Sequence, residues 1–304
     1  MIKAVVQAIP TYSMSCFKYP DSLLSDIQSM ISNFWWGDGT KRKPIHWVSW
    51  DRMCLSTNDG GTGFRQLKAF NLALLAKQAW HIATQPSTFL HRVFKAKYFP
   101  TKDFFQDEST SRPSFTWRGL CAVRRYLLSG SKWRVGNGLH IKIWKDRWIP
   151  CPSTFKIVSR SDALPEDSTV DCLIDGNSRK WKVELLQELF WQDEIEMVMG
   201  IPLGDSRNQD KLIWHYSNNG SFIVKSAYHL IKTQSTNWQD VASGSNGSVD
   251  DIWPCLWKLN IPNKVKIFLW RICKGILPIT SKLNSRGVYL DPTCSLCKAP
   301  VEDV

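Results

Sequence analysis

Apolar residues recur at helical spacing over much of the chain, and the first clear case lies at residues 21–36. There Leu24, Ile27 and Ile31 share one face, with Asp21 ahead of them and a glycine-rich stop behind. Such spacing predicts an amphipathic helix with an acidic N-terminus. The same reasoning predicts helices at about 66–84, from Pro86 onward, at 114–128, at 180–200 (two short ones), at 225–233, between 253 and 272 (two) and from Pro278.

Two segments change from helical spacing to an alternation of polar and apolar residues. Residues 132–135 and 139–144 flank a Gly-Asn-Gly turn, and residues 212–216 and 221–224 flank an Asn-Asn-Gly turn. Alternation on both sides of such a turn predicts a β-hairpin. The predicted fold class is therefore α+β, mainly helical with two small β-hairpins. One face of the first hairpin would carry Arg134, His140, Lys142 and Lys145.

A stretch dominated by Ser, Gly, Asn, Gln and Thr at 234–249 is the clearest predicted linker. We expect three segments: a basic helical region at 1–130, a hairpin plus acidic helices at 131–217, and a helical C-terminal region at 218–304. Within the first segment, Gly60-Gly61-Thr62-Gly63 predicts a sharp turn with unusual backbone angles.

The charge of the chain is positive and unevenly distributed. The 304 residues carry a formal net charge of +12, and residues 1–150 hold 22 Lys and Arg against nine Asp and Glu. A basic block of this size favours polyanions such as nucleic acid, through phosphate neutralisation and counterion release. The alternative is a basic surface that serves solubility alone. The 16 tryptophans add a second choice, between an aromatic core and stacking surfaces for bases.

Basic residues interleaved with aromatic ones form three groups that are candidates for contact with RNA or DNA, since cations contact phosphates and exposed rings stack on bases. The alternative for each group is that its tryptophans are core and its charges a solvated face. The predicted nucleic-acid-binding residues are Lys41, Arg42 and Lys43 near Trp47 and Trp50; Arg124, Arg125, Arg134, Lys142, Lys145 and Arg147 near Trp133, Trp144 and Trp148; and Lys264, Lys266 and Arg271.

Nine cysteines and no secretory leader predict reduced thiols inside the cell, with nucleus and cytoplasm both open. Cys294 and Cys297 have the two-residue spacing with which two thiolates grip one zinc ion. Zinc needs two further ligands, and Cys273, Cys255 and His229 are upstream candidates. Cys273 lies on a predicted helix, so we expect it to be buried. Two incidental cysteines in a turn are the alternative.

The sequence contains no pattern that predicts catalysis. Polymerase and nuclease chemistry needs clustered carboxylates that hold divalent metals, and the adjacent pair Asp250-Asp251 follows a polar linker, where it reads as a helix N-terminal charge pair. The turn at residues 60–63 lacks the spacing and the lysine of a phosphate-binding loop. We therefore expect no enzymatic activity, no small-molecule substrate and, since no apolar run is long enough, no membrane span.

A series of sequence blocks is distributed along nearly the whole chain. The blocks are residues 2–15, Phe34-Trp35-Trp36-Gly37, residues 46–50, residues 60–65, residues 95–100, residues 133–138, residues 224–228, Trp257-Lys258-Leu259, residues 264–271 with Leu277-Pro278, and Cys294 with Cys297. In this order they resemble plant LINE-type (non-LTR) retroelement reverse transcriptases, from the segment after the polymerase palm to the zinc-binding domain.

The resemblance implies a zinc-binding-type C-terminal module in which Cys294 and Cys297 match the first two zinc ligands. In the family a His and a Cys a short way downstream complete the site, and the sequence stops at Val304 before such a pair. The metal-binding aspartates of the palm would precede Met1. We expect a truncated, non-catalytic accessory region that binds nucleic acid and holds half of a zinc knuckle. The alternative is a structural or protein-interaction fragment without nucleic-acid affinity.

Overall fold

The computed structural model describes residues 2–37, 44–106, 112–151, 154–159, 163–205, 207–235, 252–291 and 293. These residues form a mainly helical α+β structure with one two-stranded sheet, which confirms the predicted class. The elements are α1 (Thr11–Cys16), α2 (Asp21–Trp36), α3 (Trp50–Met53), α4 (Leu67–Thr84), α5 (Phe89–Tyr98), α6 (Phe115–Ala122), α7 (Arg124–Gly130), β1 (Ser131–Arg134), α8 (Val183–Leu189), α9 (Gln192–Met199), β2 (Lys211–Trp214), α10 (Val224–Ser235), α11 (Ile252–Lys258), α12 (Asn263–Cys273) and α13 (Thr280–Ser285).

The helices lie close to where the periodicity places them. α2 and α4 match their predicted ranges, and the acidic stretch forms the two short helices α8 and α9. The helix expected from Pro86 begins at Phe89, because the hydroxyl of Thr88 accepts a hydrogen bond from the amide of His91 and caps it. The helix expected at 114–128 is divided into α6 and α7 at Val123.

The chain divides into two compact units that are not continuous in sequence. The first unit comprises residues 1–12, 19–70 and 233–304, and the second comprises residues 13–18 and 71–232. The three segments expected from the sequence remain a prediction about domain boundaries.

In the first unit the turn at residues 60–63 meets the C-terminal helices. Gly60 and Gly63 have φ angles of 72° and 67°, which confirms the predicted unusual backbone. A Cβ atom at Gly60 would lie 2.8 Å from the indole of Trp253, and the indole nitrogen of Trp270 donates a 3.0 Å hydrogen bond to the Gly60 carbonyl. Trp253, Leu256 and Trp270 are buried together there. Glycine is therefore required at residue 60 for both its angle and its contacts.

The helical part of the second unit is built around residues 71–84 of α4. Leu75, Ala79 and Ile82 of α4 are fully buried. The Asn71 amide donates hydrogen bonds of 2.7 and 2.8 Å to the carbonyls of Met14 and Phe17, so it terminates α1. These carbonyls at the end of α1 would otherwise lack donors.

The sheet of the second unit consists of two strands that were predicted to belong to separate hairpins. β1 and β2 are antiparallel, with Ser131 opposite Trp214 and Arg134 opposite Lys211. The carboxylate of Asp210 accepts hydrogen bonds from the amides of Gly136, Gly138 and His140, at 2.7, 2.9 and 2.9 Å. The chain after β1 therefore wraps around Asp210 and does not return as a second strand.

This pairing corrects the expectation of a cationic hairpin face. Residues 139–144 form no strand, and Lys142 makes an isolated bridge with Thr169. Residues 221–223 likewise form no strand, since α10 begins at Val224. A hydrogen bond of 2.8 Å from the amide of Trp214 to the carbonyl of Gly220 nevertheless closes the predicted turn.

A second core lies around the segment between β1 and β2. Its buried residues come from the loop after β1, from the turn at Val170–Leu173 and from α8 and α9. Trp148 and Trp181 stack at 6.1 Å within it, and the indole nitrogen of Trp148 donates to the carbonyl of Ile143. Both tryptophans therefore serve as core residues.

Candidate nucleic-acid interface

Some of the predicted site residues make contacts that stabilise the fold, and others lie at the surface without such contacts. Arg124 belongs to the first kind. Its guanidinium carbon lies 4.7 Å from the ring centroid of Phe104 and 5.1 Å from that of Trp117. Tyr98 stacks on Trp117 at 4.5 Å with an interplanar angle of 6°. Arg124 is thus a cation–π partner of an aromatic cluster, an arrangement that stabilises packing.

Arg147 is also used inside the fold. Its guanidinium donates a 3.2 Å hydrogen bond to the carbonyl of Ser129 and lies 5.2 Å from the ring centroid of Phe155. Burial lowers the pKa of Arg147. The amide of Trp133 donates to the carbonyl of Arg147, which fixes the backbone beside β1. Arg147 therefore connects α7, β1 and the following loop.

Lys142 and Lys145 are exposed or half-buried but paired with acids. The ammonium of Lys142 lies 2.7 Å from a carboxylate oxygen of Asp167, and that of Lys145 lies 3.1 Å from Asp167 and 3.3 Å from Glu166. These contacts raise the pKa of Lys145 and lower that of Asp167. A phosphate approaching these lysines would have to compete with two carboxylates.

The remaining predicted cations differ in accessibility. Arg134 and Lys264 are exposed and form no ion pair with a described residue. Arg125 is exposed and donates to the hydroxyl of Tyr126. Lys266 donates to the carbonyl of Trp257, and the guanidinium of Arg271 lies 5.6 Å from the ring of Trp36. Lys41, Arg42 and Lys43 lie outside the described residues.

The described tryptophans are mostly core residues. Trp117, Trp148, Trp214 and Trp270 are among the largest fully buried side chains. Trp191 is the most exposed of the described tryptophans, at 63%. Among the two alternatives for the aromatic residues, the geometry favours a core over stacking surfaces for bases.

A further group of exposed cations lies on and around α5. Arg92 and Lys97 on α5, Lys102 after it and Arg118 on α6 are all exposed, and none forms an ion pair with a described residue. We call these four residues the α5–α6 cation group. The sequence contained a signal for it, because no Asp or Glu occurs between Gly60 and Lys102.

The aromatic cluster fixes the helices that carry this group. Besides the Tyr98–Trp117 stack, Phe94 and Phe99 lie 5.6 and 5.7 Å from the ring of Trp117. The Tyr98 hydroxyl donates a 2.8 Å hydrogen bond to the hydroxyl of Ser114. The α5–α6 cation group is therefore mounted on a rigid support.

The candidate metal ligands can be placed only in part. Cys294 and Cys297 lie outside the described residues. Among the residues that the structure describes, no three His, Cys, Asp or Glu side chains are grouped so as to hold a metal ion. Cys255 and Cys273 are exposed. The expected burial of Cys273 was wrong, because Trp270 is the one fully packed residue of α12.

Comparison with known proteins defines the class. Residues 222–304 match the protein family described as zinc-binding in reverse transcriptase. A putative ribonuclease H protein of Arabidopsis thaliana is 28% identical over 314 aligned positions that cover 100% of this chain and 48% of that protein. An uncharacterized mitochondrial protein of Arabidopsis thaliana is 41% identical over 143 positions, 47% of this chain and 93% of that protein. No solved structure matches.

The chain belongs to the plant non-LTR retroelement reverse-transcriptase family, in the region that carries the zinc-binding segment. It spans about half the length of the ribonuclease H relative. Among its described helices, none is both long and apolar enough to cross a membrane.

Proposed function

We propose that this chain is a nucleic-acid-binding accessory region of a retroelement reverse transcriptase and that the polymerase chemistry takes place elsewhere. It would hold the phosphate backbone of RNA or DNA through exposed cations. The buried tryptophans supply the support for these cations in place of stacking platforms.

The observation that carries this proposal is the α5–α6 cation group. Its four cations are exposed and lack carboxylate partners among the described residues, and three of them lie on the helices α5 and α6, which pack around Trp117. Cations without partners bind phosphates at little cost in competing ion pairs. We therefore propose that Arg92, Lys97, Lys102 and Arg118 contact phosphates in addition to the binding residues predicted from the sequence.

The experiment is the salt dependence of binding to a short fluorescent single-stranded RNA and to its DNA counterpart. Each phosphate contact contributes about 0.7 to the log–log slope for a single strand. We expect Arg92→Gln with Lys97→Gln, which removes two such contacts, to lower the slope by about 1.4. The control, Lys156→Gln with Lys180→Gln, removes two exposed cations of the same unit and should leave the slope unchanged. If the affinity of the wild-type chain for RNA and DNA does not change with salt concentration, the proposal is contradicted.

The zinc-binding match supports a second component, in which Cys294 and Cys297 donate thiolates to zinc. Two thiolates fill half of a tetrahedral shell, so we expect this chain to bind zinc weakly. A zinc titration with Cys294→Ser tests this, with Cys121→Ser as the control. Tight one-to-one binding that is lost in Cys294→Ser would contradict weak binding and point to a further ligand, for which the exposed Cys255 and Cys273 are available.

Burial of the tryptophans also favours the second candidate, a structural or protein-interaction segment. Phe89 of α5 is 80% exposed, and Val93 lies on the same helix at 45%, so α5 presents apolar as well as basic residues. The two candidates differ in the salt titration, because a protein-interaction segment has no steep dependence of RNA or DNA binding on salt.

A further inference from the structure

One face of the β1–β2 sheet carries a concentration of positive charge. Lys132 and Arg134 are two residues apart on β1, so their side chains lie on the same face. Arg134 is directly opposite Lys211 of β2 in the register. Side chains directly opposite in an antiparallel pair share a face, and like charges placed there repel each other. Arg134 and Lys211 therefore repel each other across the sheet, although the strand pairing does not require two cations at these positions.

A cleft of about 670 Å³ lies beside the two strands. The volume falls within the range of small-ligand sites. Lys132, Arg134 and Lys211 all line the cleft, and Asn208 and Gln209 add side-chain amides. None of the described residues that line it is Asp or Glu. None of the three cations forms an ion pair with a described residue.

The nearest carboxylate in sequence is already engaged. Asp210 precedes Lys211, but its side chain is 0% exposed and accepts three backbone hydrogen bonds. It does not line the cleft. The cations of the cleft thus form no ion pair with the described part of the chain, and burial together with Arg134 lowers the pKa of Lys132.

The walls of the cleft are held in place by hydrogen bonds. The guanidinium of Arg179 donates to the carbonyls of Gly136 and Gly204, which belong to two lining loops. The indole nitrogen of Trp181 donates a 3.1 Å hydrogen bond to the carbonyl of Ile201 in the second loop. The cleft is therefore a formed site with fixed loops on both sides.

We propose that this cleft binds a phosphate group, with Lys132, Arg134 and Lys211 as its cationic ligands. A phosphate oxygen placed between Arg134 and Lys211 would turn their repulsion into two attractive contacts, and Arg offers a planar fork that suits such oxygens. The phosphate has two possible sources, the backbone of a nucleic-acid strand or a free nucleotide. The first source rests on the proposed function, and the second does not.

The first test compares adenosine 5′-monophosphate with adenosine by calorimetric titration of the full chain. We expect the monophosphate to bind at least about tenfold more tightly, since only it carries the charge. Arg134→Gln with Lys211→Gln should abolish that preference, whereas Lys156→Gln with Lys180→Gln should keep it. Equal affinity for the two compounds, or an unchanged preference in the cleft variant, would overturn the proposal.

A thermal melt separates binding from a structural role. Because Arg134 and Lys211 repel each other, Lys211→Gln should raise the melting temperature of the chain without phosphate. It should also reduce the further rise that inorganic phosphate gives the wild type. A lower melting temperature in Lys211→Gln would mean that the lysine supports the sheet, and would contradict its assignment as a phosphate ligand.

The source of the phosphate follows from the oligonucleotide titration. If Arg134→Gln with Lys211→Gln lowers the salt slope, the cleft takes the phosphate of a strand; if only binding of the monophosphate is lost, it takes a free nucleotide. If the chain binds the monophosphate but no oligonucleotide, the proposed function is refuted and the phosphate site in the cleft is retained. If the wild type binds the oligonucleotide but does not prefer the monophosphate to adenosine, and the cleft variant has the same salt slope, only the phosphate site is refuted.

Discussion

Two sets of cations in the second unit lie in opposite electrostatic surroundings. Lys142 and Lys145 face Asp167 and Glu166, and the contacts raise the pKa of Lys145. Lys132, with Arg134 and Lys211, faces a cleft whose described lining has no carboxylate, and its pKa is lowered. Both sets had the same appearance in the sequence, as basic residues among tryptophans. Whether a cation is available to a phosphate therefore depends on the acids that the fold places beside it.

The largest effect is expected from a substitution that disrupts the packing of the β1–β2 sheet, which carries the cleft cations. Trp214 is 1% exposed, lies 5.9 Å from Trp80 and 4.7 Å from Phe222, and fits against Gly130, where a Cβ would overlap its ring. We expect Trp214→Ala to lower the free energy of unfolding by about 3–5 kcal/mol. Denaturant unfolding measures this. Trp191→Ala is the matched control and should change the free energy by less than about 0.5 kcal/mol; similar losses in both variants would be inconsistent with the packing.

A smaller effect should follow from the carboxylate that shapes one wall of the cleft. Asp210→Ala leaves the amides of Gly136, Gly138 and His140 without their acceptor, which we expect to cost roughly 2–3 kcal/mol of stability and to weaken monophosphate binding. Asp205→Ala is the control, because Asp205 lies at the surface and pairs with exposed Arg207. Its expected cost is under about 1 kcal/mol. Equal stability of the two variants would show that Asp210 does not support the wall.

The paired lysines offer a test in the opposite direction. Asp167→Asn releases Lys142 and Lys145 from their shared carboxylate, so we expect tighter oligonucleotide binding and a steeper salt slope. The stability of the chain should change little, since these ion pairs lie at the surface. Fluorescence anisotropy at several salt concentrations measures the slope. Asp175→Asn is the control; a weaker affinity in Asp167→Asn would contradict the competition between carboxylate and phosphate.

The smallest expected effect concerns pH and the neighbour of Lys132. Burial and the charge of Lys132 lower the pKa of His215 below its ordinary value of about 6.5. The unfolded chain therefore takes up this proton first as the pH falls, so His215 contributes stability above pH 6.5 that is lost as the pH drops below it. We expect Lys132→Gln to raise the pKa of His215 in a proton NMR titration. Lys142→Gln should leave it unchanged, and a shift in that control alone would contradict the assignment.

Much of the local structure could be predicted, while the candidate site could be predicted only in part. The helices at 21–36 and 67–84 follow from spacing, because helical contacts join residues three or four positions apart. The partner strand of β1 could not be predicted, because it lies more than seventy residues further along the chain. Arg134 of β1 pairs with Lys211 of β2. The turn at residues 136–138 favoured a hairpin. In the structure the amides of Gly136 and Gly138 instead donate hydrogen bonds to the Asp210 carboxylate, so no hairpin forms.

The order of the helices, the left-handed turn at Gly60 and Gly63, the excess of positive charge and the family of the chain all follow from the amino-acid sequence. Which cations are paired, which tryptophans are buried and which strands pair became known only from the folded chain. The difference arises from the distance along the chain over which each interaction acts. Helix formation and turn angles depend on neighbours along the chain, whereas ion pairing, burial and strand register depend on residues that only folding brings together.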